Sequence, residues 1–226
     1  MRKFSFLLRA GLAFGASGCL APPPGGLTAT AASPSVAAGE SSSRPGDLGK
    51  PLVVWNGDDV NPKSDTWASC DSKPCVATSI GTDNSGSNGS RGIEFKVETP
   101  KGWAGFGWNW TSYYPGGAAD VTGRKRLKFM LQVEAASADD APDLAGLQLA
   151  LRCAKVKQCN KGVSGIAKYE PNAGDGKWHA VSVPLDDMKP DKGSEWDAAS
   201  VWELVVSGWA PTPKKFVIRL DDVSFE

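Results

Sequence analysis

Cysteine, aspartate and tryptophan carry most of the chemistry this chain can offer, and their spacing sorts that chemistry. Cys70 and Cys75 are close neighbours, Cys153 and Cys159 are close neighbours, and Cys19 stands alone. The spacing predicts two local disulfides that staple turns, Cys70 with Cys75 and Cys153 with Cys159. Zinc is disfavoured, because the chain has one histidine and neither pair has zinc-ribbon spacing. The adjacent acids Asp139-Asp140, Asp186-Asp187 and Asp221-Asp222 are carboxylates of the kind glycoside hydrolysis uses. That reaction needs two of them converging on one bond, and adjacent acids in turns usually face solvent. His179 falls at an outward strand position between Trp178 and Ala180, a poor start for a catalytic triad. The expectation is a protein that is not an enzyme.

Nine tryptophans remain, with two clusters: Trp103, Trp108 and Trp110, followed by Tyr113 and Tyr114, and then Trp202 and Trp209. Two readings are open for each ring. It is core, because tryptophan brings the largest apolar area of any side chain; or its face meets the C–H-rich face of a sugar while neighbouring Asn, Asp, Gln or Arg groups bond the hydroxyls. Turns such as 109–117 and 207–213 run over the surface, so some of these rings are expected to be exposed. The candidates for stacking are Trp110, Tyr113 and Tyr114, ahead of Trp103, Trp108 and Trp209.

The N-terminus explains the odd cysteine. Arg2, Lys3 and Arg9 precede a short apolar stretch, 10–16, and then Ser17, Gly18 and Cys19, which reads as an export signal. The run from Ala16 to Cys19 resembles the lipobox of bacterial lipoproteins, which implies that residues 1–19 are a signal ending at a lipidated Cys19. The alternative is an ordinary secretory signal cleaved nearby. Residues 20–49 are rich in Ala, Pro, Gly, Ser and Thr, too poor in apolar area to order themselves, and read as a flexible tether. Residues 50–226 are long enough for one domain with its own core. From Asp47 onward there are 21 basic and 24 acidic residues, and no basic patch suggests nucleic acid. A lipid anchor is the one expected membrane attachment, placing an exported protein in the bacterial envelope, at the outer membrane or cell surface.

Past Gly49 the apolar residues recur with period two between segments dense in Gly, Pro, Asn, Asp and Ser, which predicts many short strands. Leu127, Phe129, Leu131 and Val133 share one face; so do Ile93, Phe95 and Val97, and Leu147, Leu149 and Leu151 leading to Cys153. In the last strand Phe216, Ile218 and Leu220 are in one phase and Val223 and Phe225 in the other, so a bulge is expected at Asp221-Asp222. The stretch from Glu195 to Trp202 looks briefly helical. Eight to ten antiparallel strands argue for an all-β, two-sheet sandwich of jelly-roll type.

Several segments together resemble the carbohydrate-binding modules of the galactose-binding-like jelly-roll superfamily. They are 52–59 with Trp67, the Gly-rich aromatic run 103–110, the stretch 176–185 and the terminal 218–225. The resemblance spans most of residues 50–226 and implies a non-catalytic module that binds a polysaccharide or oligosaccharide. It also implies a structural calcium where the first strand's acids, Asp58 and Asp59, meet Asp221 or Asp222 of the last, since calcium takes carboxylate and carbonyl oxygens. The alternative for those acids is solvated turn and bulge positions. The alternative function is an envelope lipoprotein whose sandwich binds a protein partner or is structural.

Overall fold

The computed structural model describes residues 48–57, 64–71, 77–99, 101–110, 118–154 and 159–226, with 77–82 as backbone only. The leader, the tether up to residue 47, Cys19, Asp58, Asp59, Cys75, Tyr113 and Tyr114 lie outside the described residues.

Among the described residues, twelve strands make two antiparallel sheets. The first contains β1 (Leu52–Trp55), β3 (Ala77–Thr82), β4 (Gly92–Thr99), β6 (Arg126–Ala135), β9 (His179–Pro184) and β12 (Lys214–Phe225). Its order is β3-β4-β12-β6-β9, with β1 also paired to β12. The second contains β2 (Asp65–Cys70), β5 (Gly102–Asn109), β7 (Gln148–Cys153), β8 (Asn160–Ser164), β10 (Lys189–Pro190) and β11 (Val201–Ala210), in the order β10-β8-β7-β11-β5-β2. The expected two-sheet sandwich is what forms. The expected helix at 195–202 does not: only a single 3₁₀ turn, Ala198–Ser200, forms there, capped by the Asp197 side chain, before β11 takes over at Val201.

Alternation explains the layering. Leu127, Phe129, Leu131 and Val133 of β6 are buried against Leu149 and Leu151 of β7, Phe106 and Trp108 of β5 and Leu204 and Val206 of β11 in one continuous core. The parity break in β12 is a bulge. Pairing with β6 shifts between Asp221 and Ser224, and Asp222 takes a positive φ of 49°. Phe216, Ile218, Leu220, Val223 and Phe225 therefore all point inward, because the extra residue restores the pleat's phase. The bulge also hands β12 from one neighbour to another: it pairs with β4 through Leu220 and with β1 from Val223 onward.

Cys153 and Cys159 form a disulfide with Cα atoms 5.1 Å apart, closing the connection from β7 to β8. Cys70 is also disulfide-bonded; its expected partner, Cys75, is outside the described residues.

Candidate functional site

The strand β5 decides where the tryptophans go. Phe106 and Trp108 point into the sandwich, and Trp110, just past the strand, folds in with them. Trp108 stacks edge-on against Trp55 at 5.7 Å and tilts against Trp110 at 5.3 Å, and Trp110 meets Phe225 at 6.2 Å. This cluster ties the two sheets together, each ring pair adding about 0.5–1.5 kcal/mol beyond the area it buries. Trp108 and Trp110 are therefore core, and the expectation that they stack on a sugar is corrected: with exposures of 0% and 4% they have no ring face left to offer.

The other parity of β5, Trp103, Gly105, Gly107 and Asn109, faces outward from the second sheet. The register continues this face across the sheet. Trp67 lies opposite Gly107, which lies opposite Val205, then Ala150 and Gly162. One rung away, Ser69 lies opposite Gly105, Ser207, Gln148 and Ser164 in turn; on the other side Asn109 leads through Glu203 and Arg152 to Asn160. Small residues thus form a floor between two polar rows.

Both outward indoles lie down on glycine. A Cβ at Gly105 would sit 2.5 Å from Trp103 Cζ2, and one at Gly107 would overlap the Trp67 indole. Only a residue without a side chain leaves room for a ring on the sheet surface at these positions. The two indoles therefore rest side by side on β5, both half-buried. From Trp103 a cleft of about 290 Å³ runs across the strands past Gln148, Arg152, Asn160 and Ser207 to Lys189 and Asp191. Asn160 Nδ2 donates to Asp191 at 2.8 Å, while its buried Oδ1 has no partner among the described residues.

Glu203 is 1% exposed yet stands on this outward face. It accepts from the Trp67 indole N–H and from Arg152 Nη1 at 3.0 Å, and the Arg152 guanidinium lies 5.2 Å from the Trp67 ring centroid. Burial pushes the Glu203 carboxyl above its usual range, and the charge and hydrogen bonds of Arg152 and Trp67 offset that only in part.

Of the other expected stacking residues, Trp103 is on this face, and Trp209, its cross-strand partner, is 63% exposed. In the sequence Trp67 stands only among the residues that carry the resemblance, and Arg152 and Glu203 are not among the site candidates. The available signals were Glu203, the lone charge in the run 201–209, and the glycines interleaved with the β5 aromatics.

The acids expected to hold calcium are only partly described. Asp221 is fully buried, and its carboxylate accepts from Ser87 N–H at 2.8 Å, Ser90 Oγ at 2.6 Å, Ser87 Oγ at 3.0 Å and Asp222 N–H at 2.9 Å, all neutral donors. Gly57 and Gly86 approach it so closely that a Cβ on either would lie within 3 Å of its oxygens. Gly57 immediately precedes Asp58. Among the described residues, no three His, Cys, Asp or Glu side chains gather as a metal cluster. His179 lies on the first sheet between Asp175, at 2.8 Å, and Glu170, at 3.5 Å.

No protein-family model matches the sequence, and no curated protein sequence matches it either. Solved structures do match. The fold is the β-sandwich of carbohydrate-binding modules. A family 30 module of a cellulosomal cellulase of Clostridium thermocellum aligns over 78% of this chain and 97% of the module, with a TM-score of 0.54 and 17% identity. A family 11 module from the same organism, in complex with a β-1,3-1,4-mixed-linked tetrasaccharide, aligns over 77% and 94%, with a TM-score of 0.51 and 13% identity. A β-1,2-glucanase from Parabacteroides distasonis matches with a TM-score of 0.53 and 16% identity, but this chain spans only 25% of that enzyme. At these identities the likeness establishes the fold.

Proposed function

We propose that the outer face of the second sheet binds a polysaccharide or oligosaccharide without catalysis, stacking a sugar ring on Trp103 beside the Trp67–Arg152 pair and bonding hydroxyls through Arg152, Gln148, Asn160 and Ser207. The observation that carries this reading is the Trp103 indole seated over Gly105 at the head of a polar cleft, with the Trp67 indole over Gly107 beside it. A flat ring beside convergent donors and acceptors is what a pyranose, apolar on its faces and polar around its rim, requires. The carboxylates of this face support a non-catalytic reading, since Glu203 is held by Trp67 and Arg152 and Asp191 by Asn160. A lipid on Cys19 and the 20–49 tether would present this cleft away from a membrane surface; an N-terminal acyl mass on Cys19 is the expected result, and an unmodified N-terminus elsewhere counts against it.

A glycan array probed with the purified protein tests the binding reading. Retention by at least one glycan, lost in Trp103→Ala, supports it. A silent array with a folded protein moves the assignment to a protein partner.

We also propose a structural calcium near Asp221, with Asp58 or Asp59 joining it. What supports this is a buried carboxylate with only neutral described partners, beside the hydroxyl oxygens of Ser87 and Ser90, oxygen groups of the kind that suit a hard cation. When bound, the ion would neutralise that charge and tie the end of β1 to the bulge of β12. Chelator is expected to lower the melting temperature, reversed by added calcium; an unmoved melting curve and metal-free protein would leave Asp221 as a carboxylate held by serine and backbone donors alone.

A further inference from the structure

We propose that Glu203 is a positioning residue whose carboxylate holds the Trp67 indole over Gly107 and the Arg152 guanidinium over that ring, fixing the binding surface before any ligand arrives. The inference rests on the binding reading above and adds a residue that does not itself reach the ligand. Three strands meet at this one group: Trp67 comes from β2, Glu203 from β11 and Arg152 from β7, and the carboxylate takes one donor from each of the other two. Asn109 of β5 lies opposite Glu203 in the register, and a Cβ at Gly107 would sit 3.0 Å from Glu203 Oε1, so ring, glycine and carboxylate are packed as a unit.

The placement is unexpected for stability alone. A carboxylate in the otherwise apolar run of β11 carries a desolvation cost that an apolar residue would avoid. What the charge supplies is direction. A tryptophan on an outer sheet face has two free torsions, and its N–H otherwise bonds water; an acceptor at the far edge of the ring selects one rotamer. The same carboxylate draws Arg152 across β11 toward the ring, where the cation lies 5.2 Å from its centroid. Fixing both side chains in the free protein removes ordering that ligand binding would otherwise have to supply.

The test uses ¹⁵N-indole spectra of the intact protein, with the Trp67 signal assigned by Trp67→Phe, together with electrophoretic retardation in gels containing soluble β-1,3-1,4-glucan and the other glucans. In Glu203→Ala the Trp67 N–H signal should move upfield and exchange faster, and glucan affinity should fall about tenfold. Glu203→Gln keeps the shape and one acceptor oxygen, enough for the Trp67 N–H but not for Arg152 as well, so it should retain most of the Trp67 signal with a smaller loss of affinity than Glu203→Ala, and it guards against an alanine variant that does not fold. An unmoved Trp67 signal in Glu203→Ala overturns the proposal, as does full glucan affinity in a variant whose Trp67 signal has moved. A wild type that ignores every glucan defeats the binding reading; the position of Trp67 is then decided by the spectrum alone.

Discussion

On the outer face of the first sheet, Arg219 is saturated by its neighbours: Nε donates to Glu94 at 2.8 Å, and Nη1 to Gln132 at 2.9 Å and Glu134 at 2.8 Å. Lys96 adds a second contact to Glu94 at 3.2 Å. On the outer face of the second sheet the equivalent central positions hold Gly107, Val205, Ala150 and Gly162, with indoles and amides around them. The difference is where the polar groups spend their hydrogen bonds. On the first face paired charges cover the centre, whereas on the second the pair Glu203–Arg152 sits to one side and leaves small residues and indole rings with open apolar area beside it. An outward row of a sheet becomes a binding surface where its paired charges leave the centre uncovered.

The largest expected effect comes from removing a ring on the second face. Trp103→Ala should weaken glycan binding by about 2–3 kcal/mol, in the range found for aromatic anchors, with little change in melting temperature, as isothermal titration and calorimetry would show. Unfolding instead would make Trp103 a structural ring and erase the contrast between the faces. On the first face the outcome should be reversed. Arg219→Met leaves Glu94, whose side chain is 7% exposed, short of its main partner, and should cost about 2 kcal/mol of stability while glycan binding stays intact.

That variant also carries a pH signature. Burial pulls Glu94 upward, but hydrogen bonds and charge from Arg219 and Lys96 outweigh it and hold the carboxyl below its ordinary 4.5. A depressed carboxylate stabilises the fold above that ordinary value, and the contribution is lost as pH falls through the lower, folded-state value. The stability gap between wild type and Arg219→Met should therefore be widest at neutral pH and close below about 4.5; a gap that is constant with pH would mean the loss is one of packing. The smallest effect is expected from Gly107→Ala. One methyl beneath the Trp67 indole must tilt the ring, weakening binding by about 1 kcal/mol, and binding unchanged by this substitution would show that the ring's flat seat is immaterial.

The sequence displays some of this contrast and hides the rest. Alternation in β6 and β4, and the parity break at Asp221-Asp222, are local patterns with a single geometric solution, so the sandwich and its bulge can be read directly. The Cys153–Cys159 bridge is legible for the same reason, its partners being six residues apart. Which parity of β5 faces in is not local. Both parities carry tryptophan, and Trp110 is expected outside because it opens the surface turn 109–117, whereas packing against Trp108 and Phe225 draws it inward. Trp67 stands apart from the tryptophan clusters in sequence, and only the pairing of β2 with β5 brings it beside Trp103. Glu203 and Arg152 meet through register between β11 and β7, which a period-two pattern does not fix.

The place of β12 in the first sheet has a consequence for the order of folding. It lies between β4 and β6 and also carries β1, so those three strands have no partner in common until β12 (Lys214–Phe225) joins them. The first sheet therefore closes around β12 in one cooperative step rather than strand by strand from β1.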